Sequence, residues 1–437
     1  MSIFTLLRLL SILALLAAIL AACAPAGPAV PTQASPGKVL QSEVRRQASP
    51  DVPPADLQEL AARNSSFALD FYQAVRGRDG NLFYSPYSLS LALAMTYAGA
   101  RGETEAQMAQ VLNFSLPQER LHPAINALDQ DLVVQDQPAD AEQPQPFQLS
   151  IANSLWGQQD YAFLPEYLDQ LARNYGAGLR LLDFANAPEP SRQVINEWVS
   201  QETRDKIRNL IPQGAIDVMT RLVLANAIYF KADWLFPFEA NATREGSFNL
   251  LDGSQVQTPM MSFKHPNQLP YLAGEGFQAV ELPYVGDAVS MLVLVPDSGN
   301  FSEFESGLDA TKLDSILAGL QPRTVALSLP KFSFESKYDL KDTLAGMGMP
   351  AAFDPGQADF SGMDGSKSLY IGNVFHKAFV AVDEKGTEAA AATAVVMELA
   401  AVPLGPDVVL TVDRPFIFVI RHNPTGSLLF VGRLLEP

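Results

Sequence analysis

The sequence has few of the residues that catalysis, metal binding and disulfide formation require. Its 437 residues include a single cysteine, so no intramolecular disulfide can form and the fold must rest on its core. The histidines show no metal-ligand spacing; they are His122, His265, His376 and His422. No Gly-x-Ser-x-Gly elbow or phosphate-binding glycine loop occurs, and nothing nominates a Ser-His pair with an orienting carboxylate. We therefore predict that the chain is not an enzyme and uses no cofactor or metal.

Positive charge is also scarce. Lys and Arg total 30 against 48 Asp and Glu, which gives a formal net charge of −18. This balance argues against nucleic acid, heparin-like polyanions and anionic membrane surfaces as partners. Hydrophobic residues make up 48% of the chain, which is ample for a large core. Length alone predicts roughly two or three domains.

The N-terminal stretch 1–22 is nearly all apolar, with Arg8 as its only charged residue. It ends on small residues, as a secretory signal does. Its last residues, Leu-Ala-Ala followed by Cys23, resemble the lipobox of bacterial lipoproteins, which implies that Cys23 is acylated and becomes the new N-terminus. The alternative is an uncleaved anchor helix, because about 20 apolar residues just span a bilayer. Both readings tether the protein outside the cytoplasm. The lipoprotein reading, which we favour, predicts an exported protein, lipid-anchored at the outer face of a cell membrane or extracellular.

Residues 23–56 are rich in Pro, Ala, Ser and Gln and show no apolar period. This composition predicts a flexible tether between the membrane and the folded domain. Residues 136–146, with three prolines and three acidic residues, predict a second solvated loop.

Hydrophobic periodicity places the regular elements between the tether and the C-terminus. Helices are predicted at 57–75, from Pro86 to about 95, at 194–209 and at 338–348. Strands are predicted at 147–156, 222–229, 279–282, 290–295, 325–329 and 373–383, and a C-terminal hairpin at 414–421 and 427–433. The apolar run 222–229 is interrupted by Asn226, which must be hydrogen-bonded if it is buried.

The stretch 383–397 has two readings. Its alanines favour a helix. In an extended chain, however, one face carries only small or apolar side chains: Thr387, Ala389, Ala391, Thr393, Val395 and Met397. Nothing on that face is too large or too charged to enter a packed sheet, so the segment can change state.

The run Glu-Lys-Gly-Thr-Glu-Ala-Ala-Ala-Ala-Thr at 384–393 resembles the reactive-centre-loop hinge of inhibitory serpins. Residues 81–104, 151–156 and the C-terminal hairpin extend the resemblance, which covers 57–437. It implies one α+β domain, with a large central mixed sheet, two smaller sheets and about eight or nine helices. The reactive-centre loop would span about 384–406. In this family the loop enters the main sheet as a new strand after cleavage.

The resemblance also implies roles for individual residues. The hinge comprises Glu384, Gly386, Thr387, Glu388, Ala389, Ala390, Ala391, Ala392 and Thr393. The sheet-opening region comprises Ser85, Ser88, Asn226 and His376, and the loop-entrance region comprises Trp234, Lys331 and Glu384. By chemistry alone the serines are capping hydroxyls, Asn226 and His376 are satisfied core residues, and Lys331 and Glu384 are solvated charges.

Spacing within the family puts the reactive bond at Ala400-Ala401, with Leu399 as the runner-up for the residue before the cut. Small or medium apolar residues there imply elastase-like or subtilisin-like serine proteases as targets, with cysteine proteases as a second class. The expected function is suicide inhibition by a monomer, through acyl-enzyme trapping and loop insertion. The alternative is a non-inhibitory serpin that acts as a carrier or binding protein.

Overall fold

A computed structural model describes residues 37–135, 147–387 and 405–437. Within these ranges it contains ten α-helices, two of which span six residues or fewer. The helices are α1 (Pro54–Val75), α2 (Pro86–Tyr97), α3 (Gly102–Val111), α4 (Gln118–Gln135), α5 (Pro165–Tyr175), α6 (Pro188–Glu202), α7 (Phe301–Ser306), α8 (Ala310–Gly319), α9 (Lys341–Met347) and α10 (Ser361–Asp364).

Seventeen strands accompany these helices in the described part of the chain. They are β1 (Lys38–Leu40), β2 (Leu82–Tyr84), β3 (Gln148–Gln158), β4 (Leu179–Leu182), β5 (Leu222–Asp233), β6 (Arg244–Asn249), β7 (Gln255–Ser262), β8 (Asn267–Gly274), β9 (Phe277–Pro283), β10 (Val289–Pro296), β11 (Gln321–Pro330), β12 (Phe332–Asp339), β13 (Asn373–Val382), β14 (Gly386–Thr387), β15 (Val408–Thr411), β16 (Phe416–His422) and β17 (Leu428–Leu434).

The main sheet has seven strands in the order β1-β4-β3-β5-β14-β13-β12. A second set of ten strands runs β2-β17-β16-β10-β9-β8-β11-β7-β6, with β15 paired to β11. The expected α+β architecture with a large mixed sheet is therefore confirmed. The two smaller sheets expected from the resemblance share β11, which pairs with both β7 and β8, so hydrogen bonds join them into one set.

The helix α2 shows how local sequence builds the floor under the main sheet. Ser85 is its N-cap, and the Ser85 hydroxyl accepts a hydrogen bond from the Ser88 amide at 3.1 Å. Pro86 occupies the first helical position, where its missing N–H costs nothing. All but one of its twelve residues are buried, because it lies beneath β3 and β5. None of the described helices is both long and apolar enough to cross a membrane.

The predicted tether is wrong over its second half, and the boundary at residue 57 is too late. From Gly37 onward the chain packs on the domain: β1 pairs antiparallel with β4, and Arg46 bonds Asp129 at 2.6 Å. The Gln47 amide also donates to the Arg173 carbonyl at 2.9 Å. Main-chain hydrogen bonds and an ion pair hold this segment on the domain. Neither requires an apolar period, so hydrophobic periodicity could not predict that the segment is ordered against the domain.

Two predicted helices have different limits in the structure. The helix predicted at 194–209 ends at Glu202, and Arg204, Asp205 and Asn209 beyond it have φ values of 50°, 63° and 53°. These left-handed residues cannot continue a right-handed helix. The helix predicted at 338–348 begins only at Lys341, because Tyr338 still belongs to β12. The first case is a turn that side-chain periodicity does not detect, and the second is a boundary error.

Candidate functional site

The hinge of the loop begins as a two-residue strand inside the main sheet. After β13 the chain turns through residues 383–385 and returns as β14. There Thr387 pairs with Val382 of β13 on one side and Ala232 of β5 on the other, both antiparallel. The two neighbours β13 and β5 are therefore already parted at this end, and the parting holds the start of the loop.

Position 386 requires glycine because the backbone of β14 lies very close to that of β5. A Cβ atom at Gly386 would lie 2.0 Å from the carbonyl oxygen of Ala232 and 2.8 Å from the Cα of Asp233. Both atoms belong to the backbone and cannot rotate away. Any other residue at this position would push β14 away from β5.

The turn before β14 is fixed by main-chain bonds from the loop-entrance region. The Trp234 amide donates to the Lys385 carbonyl at 2.7 Å, and its indole nitrogen donates to the Asp383 carbonyl at 3.1 Å. The Phe238 amide donates to the Glu384 carbonyl at 2.8 Å. The direction in which the chain leaves the sheet is thus set by the backbone of the segment after β5.

Glu384 and Lys331 lie together at the same end of the sheet. Lys331 Nζ is 2.8 Å from Glu384 Oε2, and the Thr243 hydroxyl donates to Glu384 Oε1 at 2.9 Å. Burial raises the pKa of Glu384, but the hydrogen bonds from Lys331 and Thr243 and the lysine charge outweigh it and leave the pKa lowered. Glu384 is therefore ionised at neutral pH and paired.

Thr387 is held by a buried aromatic pair. Its side chain is 1% exposed, and its hydroxyl lies 2.6 Å from the Tyr284 hydroxyl. The Tyr284 ring stacks on Trp234 with the ring centroids 4.4 Å apart. Burial raises the pKa of Tyr284 far above its usual range, so the phenol stays neutral and bonded. The first inward side chain of the loop is already seated in the core.

His376 lies in a fully buried position under the middle of the sheet, in β13. Its Nε2 accepts a hydrogen bond from the Ser85 amide at 3.1 Å, which places the proton on Nδ1, where it faces the Asn226 amide oxygen. Burial lowers the pKa of His376 to about 3, slightly countered by its bond to Asn226. The imidazole is neutral and structural, with no carboxylate among its hydrogen-bond partners.

Asn226 joins the opposite strand, β5, to the helix below. Its amide nitrogen donates to the carbonyl of Ser88 at 2.8 Å and lies beside the Asn153 amide oxygen. Asn153, in β3, receives the Ser88 hydroxyl at 3.0 Å and donates to the Ser88 carbonyl at 3.2 Å. We call these five residues, Ser85, Ser88, Asn153, Asn226 and His376, the opening network.

Below the parting, β5 and β13 pair directly with each other. Residues 373–379 of β13 run parallel to 223–229 of β5, and His376 and Asn226 are register partners. The opening network therefore spans the seam between these two strands and ties both to α2. The structure brings together every predicted residue of the opening and loop-entrance regions.

The remaining predicted site residues lie outside the described part of the chain. These are Cys23, the hinge residues Glu388, Ala389, Ala390, Ala391, Ala392 and Thr393, and the reactive-bond residues Leu399, Ala400 and Ala401. Among the described residues no group of three or more His, Cys, Asp or Glu is placed to hold a metal ion.

Two residues of the site were missed from the sequence. Asn153 interrupts an apolar strand just as Asn226 does, so the same pattern would have found it. Tyr284 follows a strand about a hundred positions before Thr387, and no local pattern links the two. Only the pairing of Trp234 with Tyr284 as a β-bridge brings that tyrosine to the hinge.

Comparisons with known proteins agree with this geometry. The family model "Serpin (serine protease inhibitor)" matches residues 62–437. The leukocyte elastase inhibitor of horse is 38% identical over 392 residues, covering 87% of this chain and 100% of that protein. Uncleaved ovalbumin superposes with a TM-score of 0.76 at 29% identity over 86% of this chain and 100% of its own. The thermophilic serpin tengpin in its native state gives a TM-score of 0.78 at 28% identity, covering 91% of this chain and 98% of its own.

Proposed function

The chain belongs to the serpin family of protease inhibitors, not enzymes, and from that premise we propose that it is a suicide inhibitor of extracellular serine proteases. The observation that carries the proposal is β14, since Gly386 and Thr387 already occupy the start of an extra strand between β5 and β13. A loop cut by a protease has only to continue from there.

The register of β14 predicts where each later residue of the cut loop would lie. Thr387 is opposite Val382 and Ala232, so each step of two residues along the loop moves two residues back along both neighbours. On this count Thr393 falls between His376 and Asn226. The side chains that share the core-facing side with Thr387 are Ala389, Ala391, Thr393, Val395 and Met397. All of them are small or apolar, which suits the space above α2.

Insertion would also have to divide the opening network. His376 and Asn226 now face each other across the seam, and a new strand would separate them by one more strand spacing, about 4.8 Å. Both would be left without their mutual hydrogen bond, which is costly for buried polar groups. The hydroxyl of Thr393 can both donate and accept, so at this register it replaces the lost partner on either side.

The proposed bait is the apolar segment around Ala400-Ala401, with Leu399 as the second choice for the residue before the cut. Small or medium apolar side chains fit elastase-like and subtilisin-like proteases. The similarity to proteins named leukocyte elastase inhibitor supports the first class. Insertion of the segment from Thr387 to the cut would carry the protease across the sheet. The protease would be trapped there before water hydrolyses the acyl-enzyme ester and sets it free.

The proposed place of action is outside the cytoplasm. The apolar stretch 1–22 followed by Cys23 supports export and acylation at that cysteine, and the acidic chain supports a soluble monomeric domain held by lipid rather than by charge.

The test mixes the chain from Cys23 onward with pancreatic elastase and with subtilisin. A band that survives SDS, together with a released fragment beginning at Ala401, is the expected result. If both proteases only cut the loop, a melting scan of the cut product is decisive. A large rise in melting temperature means that the loop inserts and that another protease is the target. No adduct and no rise would favour the non-inhibitory carrier and overturn the inhibitor.

A further inference from the structure

The N-terminal segment joins the domain at the end of the main sheet that is opposite the loop. Lys38 is level with Leu181 of β4, which is level with Gly157 of β3 and Leu222, the first residue of β5. The hinge residue Gly386 pairs with Asp233, the last residue of that same strand. At about 3.3 Å per residue, the point where the chain joins the domain and the point where the loop leaves it are roughly 36 Å apart along the sheet.

A turn at the same end carries two exposed apolar side chains. Val218 and Met219, just before β5, are 54% and 60% exposed. The Arg221 carbonyl accepts from the Gln158 amide of β3 at 2.8 Å, so the turn continues the end of the sheet. It is separated from Gly37 by β4 and β3, or about 15 Å at the usual strand spacing. We call this end, with Val218, Met219 and the exposed Val39 of β1, the tether pole.

Most backbone polar groups of this turn are hydrogen-bonded to other groups of the protein. The Met219 amide donates to the Asp217 carboxylate at 2.9 Å, and its carbonyl accepts the Tyr370 hydroxyl at 2.7 Å. The Val218 carbonyl accepts from the Arg221 guanidinium at 2.9 Å. Polar backbone groups without partners are what exclude most loops from lipid, so this turn can enter a headgroup region at little cost.

The other exposed large apolar side chains among the described residues lie away from the tether pole: Leu235, Leu251 and Val409. Leu235 follows the loop-entrance Trp234, and Val409 lies in β15, just after the loop. Leu251 is in the turn after β6, whose Asn249 bonds Asp413. These three side chains therefore adjoin the segments that present the loop.

We propose that the tether pole docks on a lipid bilayer surface, with Val218 and Met219 in the interfacial region and Arg221 at the headgroup phosphates. The proposal rests on the lipid anchor proposed at Cys23. Only 13 residues separate Cys23 from Gly37, a span of at most about 50 Å, so the anchor keeps the domain within reach of the bilayer and attaches it from this pole. A tether raises the local concentration enough for a weak contact of two side chains to form.

The consequence for the inhibitor is its orientation. With the tether pole on the bilayer, the hinge stands at least the length of β5 away from it. The loop then faces proteases that arrive from solution, and a protease embedded in the same membrane cannot reach it. Attraction comes from apolar side chains and lipid rather than from net charge, which agrees with the acidic composition.

The test couples the chain from Cys23 onward, through its single thiol, to maleimide lipid in phosphatidylcholine vesicles. Chemical coupling makes the result independent of natural acylation. The reference is the same chain with its thiol blocked by a soluble maleimide. Peroxide oxidation of Met219 and hydrogen exchange of peptides covering 216–221 and 405–411 are followed by mass spectrometry.

The expected result is that coupling slows Met219 oxidation and exchange at 216–221 several-fold and leaves 405–411 unchanged. V218D should lose the protection at 216–221 while keeping its melting temperature, since Val218 is more than half exposed in the free protein. Unchanged rates at Met219, or protection that moves to 405–411, would overturn the docking. Adduct formation with elastase is scored in the same samples, so a failed inhibitor and a failed docking surface are told apart.

Discussion

The two ends of the seam between β5 and β13 differ in what holds them. At the loop end the strands are parted, and the gap contains β14 with its Tyr284-Thr387 contact, while the Lys331-Glu384 ion pair lies at the same end of the sheet. Further along, the same strands pair directly, and the opening network beneath them is buried and bonded on both sides. One end is thus arranged to admit a strand and the other to resist it.

Under the proposed mechanism, this difference makes insertion directional. A new strand would advance from the loop end, and each step would have to replace hydrogen bonds that now close the seam. The Lys331-Glu384 ion pair at the loop end is partly exposed and cheap to rearrange, whereas the contacts of the opening network lie mostly in the core and are costly to break. Mutations at the loop end should therefore impair insertion, whereas mutations in the opening network should lower stability and weaken the closed seam.

The largest effect is expected from T387R. Thr387 is buried against Tyr284, and an arginine there would bring an unpaired charge into the core at a cost of several kcal/mol. The variant should be cut by elastase as a substrate, with no SDS-stable adduct. T387V, which keeps the shape without charge, and V409R, at an exposed position, should still form the adduct. Equal adduct yield from T387R would show that this side chain need not enter the sheet.

The next effect concerns the closed part of the seam. N226A would leave His376 Nδ1 without its partner and remove one of the two side-chain donors to the Ser88 carbonyl. It should lower the free energy of unfolding by about 2–3 kcal/mol, measured by urea denaturation. It should also lose inhibitory activity on incubation below its melting temperature, because the seam no longer holds.

Asn196 provides the matched control. It is equally an internal amide, bonded to the Ile211 amide at 2.8 Å and to its carbonyl at 2.9 Å, but it lies in α6, away from the seam. N196A should lose comparable stability and keep its activity during the same incubation. If both variants lose activity alike, the opening network has no special part in closing the seam.

A smaller effect is expected from acid. Burial lowers the pKa of both His376 and His122 to about 3 in the folded chain, whereas in the unfolded chain these histidines titrate near pH 6.5. Between these two pH values the unfolded chain binds protons that the folded chain does not bind. Each histidine should remove about 1.4 kcal/mol of stability per pH unit as the pH falls from 6.5 towards 3. Urea midpoints at pH 7 and pH 5.5 should show the loss, and H376Q should show a shallower dependence. If H376Q showed the same dependence of stability on pH, the acid effect would not come from His376.

The smallest effect is expected at the loop entrance. Lys331 is 44% exposed, so K331A should cost only about 0.5–1 kcal/mol, and the loss should vanish at high salt. K367A breaks a similar pair, 2.7 Å apart, with Asp359, whose amide donates to the Thr104 hydroxyl of α3 and not to the loop entrance. Thermal scans at low and high salt compare the two. A loss above 2 kcal/mol for K331A would make the ion pair a main support of the parted end.

Much of this arrangement could be predicted from local sequence. Pro86 marks the start of α2, as its preference for the first helical turn predicts. The small-residue face predicted for 387–397 lies, after Thr387, outside the described residues. Ser85 is both the capping hydroxyl that its chemistry predicts and a member of the opening network. Asn226 stands out because a polar residue in a buried strand needs a partner.

What could not be predicted depends on partners distant in the chain. β1 is three residues long and is held by β4, so its own sequence carries no strand pattern. Tyr284 becomes part of the hinge through a bridge to Trp234. In both cases tertiary contacts replace the local signal. The end of α6 is instead set locally, by residues in left-handed conformations that side-chain periodicity does not detect.

Under the proposed mechanism, the two residues of β14 also shorten the time that insertion of the loop would take. Since the first hydrogen bonds on both sides are in place before any cut, the slow search for a register is already finished. After cleavage only propagation of the strand would remain, in competition with the water that would hydrolyse the acyl-enzyme. The number of residues between Thr387 and the cut would then set how far the protease is carried, so a protease that cuts too near the hinge would be released and one that cuts far enough along would be trapped.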